Sequence, residues 1–71
     1  MNQQEINQVK GFALELRQLM KDISANADCL ILFADVLEPE QVQVVNSRMF
    51  DQIVRIRGLV LGFYMDAWKE N

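Results

Sequence analysis

The sequence predicts an all-α fold, an antiparallel helical hairpin of two long helices, and three observations predict it. Apolar residues recur through the first half at alternating steps of three and four: Ile6, Val9, Ala13, Leu16, Met20, Ile23, Ala27, Leu30, Ala34 and Leu37. A helix turns once per about 3.6 residues, so these side chains share one face. Glu38-Pro39 then interrupts the pattern. A second segment of similar length carries its own stripe of Val42, Val45, Met49, Ile53, Ile56, Val60, Phe63 and Ala67. Two helices of equal length with a short connection pack antiparallel.

The elements follow in order within one domain, residues 1–71. Helix one covers about residues 3–35. Asn2, with Glu5 three residues on, has the outline of a capping box at its start. With Ile6 as position a of a heptad, the stripe above occupies a and d, and position g adds Phe12, Leu19 and Phe33. That face is wider than a two-stranded seam and suits a bundle. Gln8, Gly11, Glu15, Gln18, Lys21 and Asp22 form a solvated face. Ser24 to Asp28 is rich in residues that compete for backbone hydrogen bonds. The heptad crosses it without a phase break, which favours a continuous helix over a kink near Asp28.

The turn spans residues 36–38. Proline suits the first turn of a helix, where its missing N–H would be unpaired anyway, and it biases Glu38 away from helical geometry. Glu40 then places a negative charge at the favourable end of the helix dipole. Helix two covers about residues 39–69. Beside its main stripe lies a second strip of Phe50, Val54, Leu61, Tyr64, Met65 and Trp68.

Composition narrows the function. The net charge of -3 argues against a nucleic-acid partner held by a basic surface. The longest apolar run, Cys29 to Ala34, is far short of the roughly 20 residues of a membrane span. No stretch has the pattern of a signal peptide, and a lone cysteine fits the reducing cytoplasm. Without histidine, a Gly-rich phosphate loop or a recognisable nucleophile, the sequence offers no catalytic residues. It likewise offers no metal or cofactor site and no small-molecule substrate site. Cys29 reads as a small, half-buried hydrophobe, since no cation lies near it in sequence to activate it.

Three features point to assembly. The chain is 51% hydrophobic, more than a two-helix hairpin can hide. Phe12, Leu19, Phe33, Phe50, Val54, Leu61, Tyr64 and Trp68 are the candidate partner-binding residues, because they cannot all face one seam. The turn of helix from Cys29 to Phe33 is apolar nearly all round and should be enclosed. Gly58 and Gly62 form a G-x-x-x-G spacing that either admits a second backbone or is a tolerated surface pair. Charge is polarised: Asp22, Asp28, Asp35, Glu38 and Glu40 lie in a span from Asp22 to Ser47 that holds no base. That acidic tip either steers a basic partner or keeps the tip solvated.

Pro39-Glu40-Gln41-Val42-Gln43, followed by a helix ending in Gly62-Phe63-Tyr64-Met65, resembles the small co-chaperones of type III secretion needle subunits. The resemblance covers roughly residues 38–66, with Val42 where that family often carries an aromatic. It implies a helical hairpin that docks on a helical-repeat co-chaperone and keeps a needle subunit from polymerising in the cytoplasm. It also implies that helix two's second strip meets the partner and that Pro39 and Gln41 set the turn. The sequence thus points to a non-enzymatic protein-binding module, a small chaperone or adaptor. The alternative is a homodimeric four-helix bundle acting as a regulator or inhibitor of phage or plasmid type.

Overall fold

The computed structural model describes residues 1–68, with side-chain surroundings through Asp66. It is an antiparallel hairpin of two α-helices, α1 (Gln3–Phe33) and α2 (Pro39–Trp68). The Cα trace measures 52 × 18 × 11 Å, a slab two helices wide and one helix thick.

The expected cap opens α1. The Glu5 N–H donates to Asn2 Oδ1 at 2.8 Å, and the Asn2 N–H donates back to Glu5 Oε1 at 3.4 Å. Two of the four orphan donors at the helix start are thereby satisfied. The helix then runs without interruption through Ser24 to Asp28. It ends at Phe33, two residues before the expected boundary. There the Val36 and Leu37 N–H groups both donate to the Phe33 carbonyl, at 3.0 and 2.9 Å, and close the last turn. Glu38 caps α2. Its carbonyl accepts from the Gln41 and Val42 N–H groups, and its own N–H donates to Gln41 Oε1 at 2.9 Å. Gln41, three residues past the cap, thus supplies one half of a capping box, its side chain accepting from the cap residue's N–H.

Two contacts fix which faces meet. The Phe12 and Phe63 rings stack with centroids 4.2 Å apart and planes 12° from parallel. Fourteen residues along α1, Asn26 Nδ2 donates to Gln52 Oε1 at 2.9 Å in a partly buried amide pair. Through these anchors runs a row of less exposed residues, Phe12, Leu16, Leu19, Ile23, Asn26 and Leu30 on α1 and Val45, Met49, Gln52, Ile56, Leu59 and Phe63 on α2, with Ile6, Ala27 and Cys29 half-buried at its flanks. Both sets step by four and three, so they form a two-stranded seam.

This seam is rotated one heptad position from the expected stripe. Phe12 and Leu19, expected on a docking face, are seam residues. Ala13, Met20, Ile53 and Val60, which belong to the periodic stripes, are exposed, so the structure decides which strip faces the seam, a choice the spacing leaves open. The reason is area. Leu16, Ile23 and Leu30 belong to both stripes; the choice puts Phe12 in place of Ala13 and Leu19 in place of Met20, and the added apolar area, chiefly that of Phe12, is worth about 25 cal/mol per Å². The rotation brings two amides into the seam, where they satisfy each other.

A double-mutant cycle on Asn26→Ala and Gln52→Ala, read by thermal unfolding, is expected to show a coupling of about 0.5–1 kcal/mol. Strict additivity would place the two amides apart.

Candidate interaction surfaces

One seam covers little of this chain. Val45, 9% exposed, is the single buried residue among those described. The total accessible surface is 6033 Å². A compact monomer of the same mass would expose about 4,500 Å².

Helix geometry sorts the uncovered surface into three parts. In an antiparallel pair, the positions flanking the seam on one side of the first helix lie beside the equivalent positions of the second. On one broad face α1 therefore presents Gln8, Glu15, Asp22 and Cys29, and α2 presents Gln41, Arg48, Arg55 and Gly62. That face is polar and carries charge of both signs. The opposite broad face presents Ile6, Ala13, Met20 and Ala27 from α1, with Ala34 just past its end, beside Asn46, Ile53 and Val60 from α2. None of these eight side chains is ionisable. Met20 and Ile53 are each 53% exposed. Apart from Asn46, the residues of this second face belong to the two periodic stripes, and none is among the candidate partner-binding residues.

The third part is the back of α2, turned away from α1. Phe50, Val54, Leu61 and Tyr64 line it, and all are exposed, Leu61 at 51%. Four of the eight candidate partner-binding residues thus share one outer stripe. Phe33 is also exposed, but at the end of α1 beside the turn. Phe12 and Leu19 belong to the seam, and the side chain of Trp68 lies outside the described residues.

The turn of helix from Cys29 to Phe33 is not enclosed as expected. Cys29 and Leu30 are half-buried, whereas Ile31 is 76% exposed and Leu32 and Phe33 are open to solvent. A single partner helix covers one stripe of α1, and beyond Leu30 the chain is already leaving for the turn.

No protein-family profile, curated protein or solved structure matches this chain. The chemistry of the surfaces must therefore carry the functional argument. Among the described residues, no group of three or more cysteines or carboxylates is placed to hold a metal ion. Among them also, no helix is long and apolar enough to cross a membrane.

The glycine pair lies on the polar side of α2. A Cβ built on Gly58 or Gly62 meets nothing within 4 Å. Nothing in the hairpin requires a glycine there, and each costs a helix interior about 1 kcal/mol relative to alanine. Gly58→Ala and Gly62→Ala are each expected to raise stability in denaturant unfolding by about 0.5–1 kcal/mol and to leave assembly unchanged. Loss of assembly in either variant would show that a second backbone approaches this side.

Proposed function

We propose that this chain is a non-enzymatic protein-binding module, a small chaperone or adaptor that docks the outer stripe of α2 on a helical partner protein. The observation that carries this reading is the stripe itself. Phe50 and Val54 sit on two adjacent turns and Leu61 and Tyr64 on two more, with Arg57 and Gly58 on the turn between them, all on the side of α2 away from α1, and all four apolar residues are more than half exposed. Large apolar side chains at such spacing are the anchors by which a helix lies in a hydrophobic groove. Large apolar side chains clustered on an exposed helix face mark an interface more often than isolated ones do.

The resemblance of residues 38–66 to the needle-subunit co-chaperones supports a place in type III secretion, in the cytoplasm, with a helical-repeat protein as the partner. The Gln41 side chain on the Glu38 N–H supports the role that the resemblance gives to Gln41 at the turn. A polar tip suits such a module. Asp35, Glu38 and Glu40 keep the turn end hydrated while the apolar stripe is engaged elsewhere.

Leu61→Asp tests the reading. It puts a charge in the middle of the stripe and touches nothing in the seam. In affinity capture followed by mass spectrometry, the unaltered chain is expected to retain one protein in near-stoichiometric amount. The variant should lose it by about a hundredfold while keeping its helical circular dichroism, since an unpaired charge in an apolar contact costs several kcal/mol. Equal capture by both chains would remove the stripe from the interaction.

A further inference from the structure

The second apolar face, with Met20 at its centre, is a separate surface with its own geometry. We propose that it pairs with a second copy of this chain, head to tail, so that two hairpins close a four-helix bundle across a two-fold axis. This pairing goes beyond the adaptor reading and does not depend on it, because it uses different residues.

The hairpin exposes about 1,500 Å² more than a compact monomer of its mass, and a standard interface takes about 800 Å² from each partner. The surplus is enough for one broad face to be covered. The face is also the right kind of surface, being flat and without an ionisable group, with small and large residues alternating on α1.

The register of the two helices makes the face self-complementary. On α1 the face reads Ile6, Ala13, Met20, Ala27, with Ala34 just past its end and Met20 in the middle. On α2 its large members are Ile53 and Val60. A two-fold axis lying in the face and crossing both helices must meet them at one level. The hairpin's own contacts fix that level. Interpolated between Phe12–Phe63 and Asn26–Gln52, Met20 is level with the point between Ile56 and Arg57. That point is midway between Ile53 and Val60. One axis therefore sets Met20 against Met20 of the partner subunit, Ala13 against Ala27 of the partner subunit, and Ile53 against Val60 of the partner subunit. Such a self-complementary patch is what an isologous dimer requires. The alanines let the α1 helices approach closely while Ile53 and Val60 fill the space between the α2 helices.

Charge selects this orientation. The turn end carries Asp28, Asp35, Glu38 and Glu40, and no base lies between Asp22 and Ser47. Two hairpins paired turn to turn would gather eight carboxylates at one end, at a Coulomb cost. Head to tail, Lys10 comes level with the span between Asp28 and Asp35 of the partner subunit. Ile6 of the partner subunit also comes beside Ala34, next to the open turn of helix at Ile31. The α2 stripes of the two copies remain outside, on the same edge of the bundle.

The test is light scattering behind size exclusion, joined to oxidative cross-linking of Met20→Cys in a Cys29→Ser background. The expected result is a particle of twice the chain mass that cross-links through position 20 in high yield. Met20→Glu should weaken self-association at least about a hundredfold, because two carboxylates meet at the axis. Leu61→Asp, in contrast, should leave the cross-link unchanged. A dimer that does not cross-link at position 20, or one that Leu61→Asp abolishes, overturns the head-to-tail pairing. A monomer that binds a hydrophobic dye, with Met20→Glu reducing the binding, overturns the second copy and assigns the face to a different protein. Capture of a partner through Leu61 is scored separately, so either proposal can fail alone.

Discussion

A single helix–helix seam carries this fold, and its rotation about each helix decides every other surface of the molecule. Phe12, Leu16, Leu19 and Ile23 turn toward α2 because they bury the most apolar area there. Ala13, Met20 and Ala27 are then left on one broad face, and Glu15 and Asp22 on the other. On α2 the same choice exposes Ile53 and Val60 and points Val54 and Leu61 directly away from α1. If the seam followed the smaller stripe instead, Phe12 and Leu19 would be surface residues and the flat alanine-rich face would not exist.

The seam alone leaves the chain short of a packed interior. A hairpin one helix thick has no second layer, and a lone buried valine is little for a chain of this length. Caps at Asn2 and Glu38 and the Asn26–Gln52 amide pair fix where the helices begin and how they register. They contribute about 1 kcal/mol each and do not replace a core. Covering the exposed apolar surface would add stabilisation, and the proposed pairing and docking are two ways to do so. The two apolar surfaces differ in shape. The Met20 face is flat and repeats about its own midpoint, whereas the α2 stripe is a ridge of aromatic and branched side chains. A bundle that buries the first while presenting the second twice would join stability to recognition.

Much of the architecture was legible in the sequence. The three-four spacing marks both helices, Asn2 and Glu5 mark a start, and Pro39 marks another. The continuity of α1 through Ser24 to Asp28 follows from an unbroken heptad, since packing along a long face outweighs weak local preferences. The rotation of the seam was not legible by pattern alone. A count of apolar positions treats Ala13 and Ala27 as equal to Phe12 and Leu19, yet their buried areas differ severalfold. The Asn26–Gln52 pair was not legible either, because nothing in one helix shows that the other supplies a matching amide. Weighting each position by side-chain size would have moved the stripe toward Phe12, Leu16, Leu19 and Ile23. The outer strip of α2 was legible at Phe50, Val54, Leu61 and Tyr64 because bulky residues there exceed what any one seam can hold.

The most direct test of the seam is a nuclear Overhauser spectrum of the chain with labelled methyl and aromatic groups. The account requires ring-to-ring cross-peaks between Phe12 and Phe63, whose centroids lie 4.2 Å apart. It also requires that Phe12 show these contacts to α2 more strongly than Ala13 does. Strong Ala13–Phe63 cross-peaks, with Phe12 silent toward α2, would put the smaller stripe in the seam and contradict the surfaces derived from it.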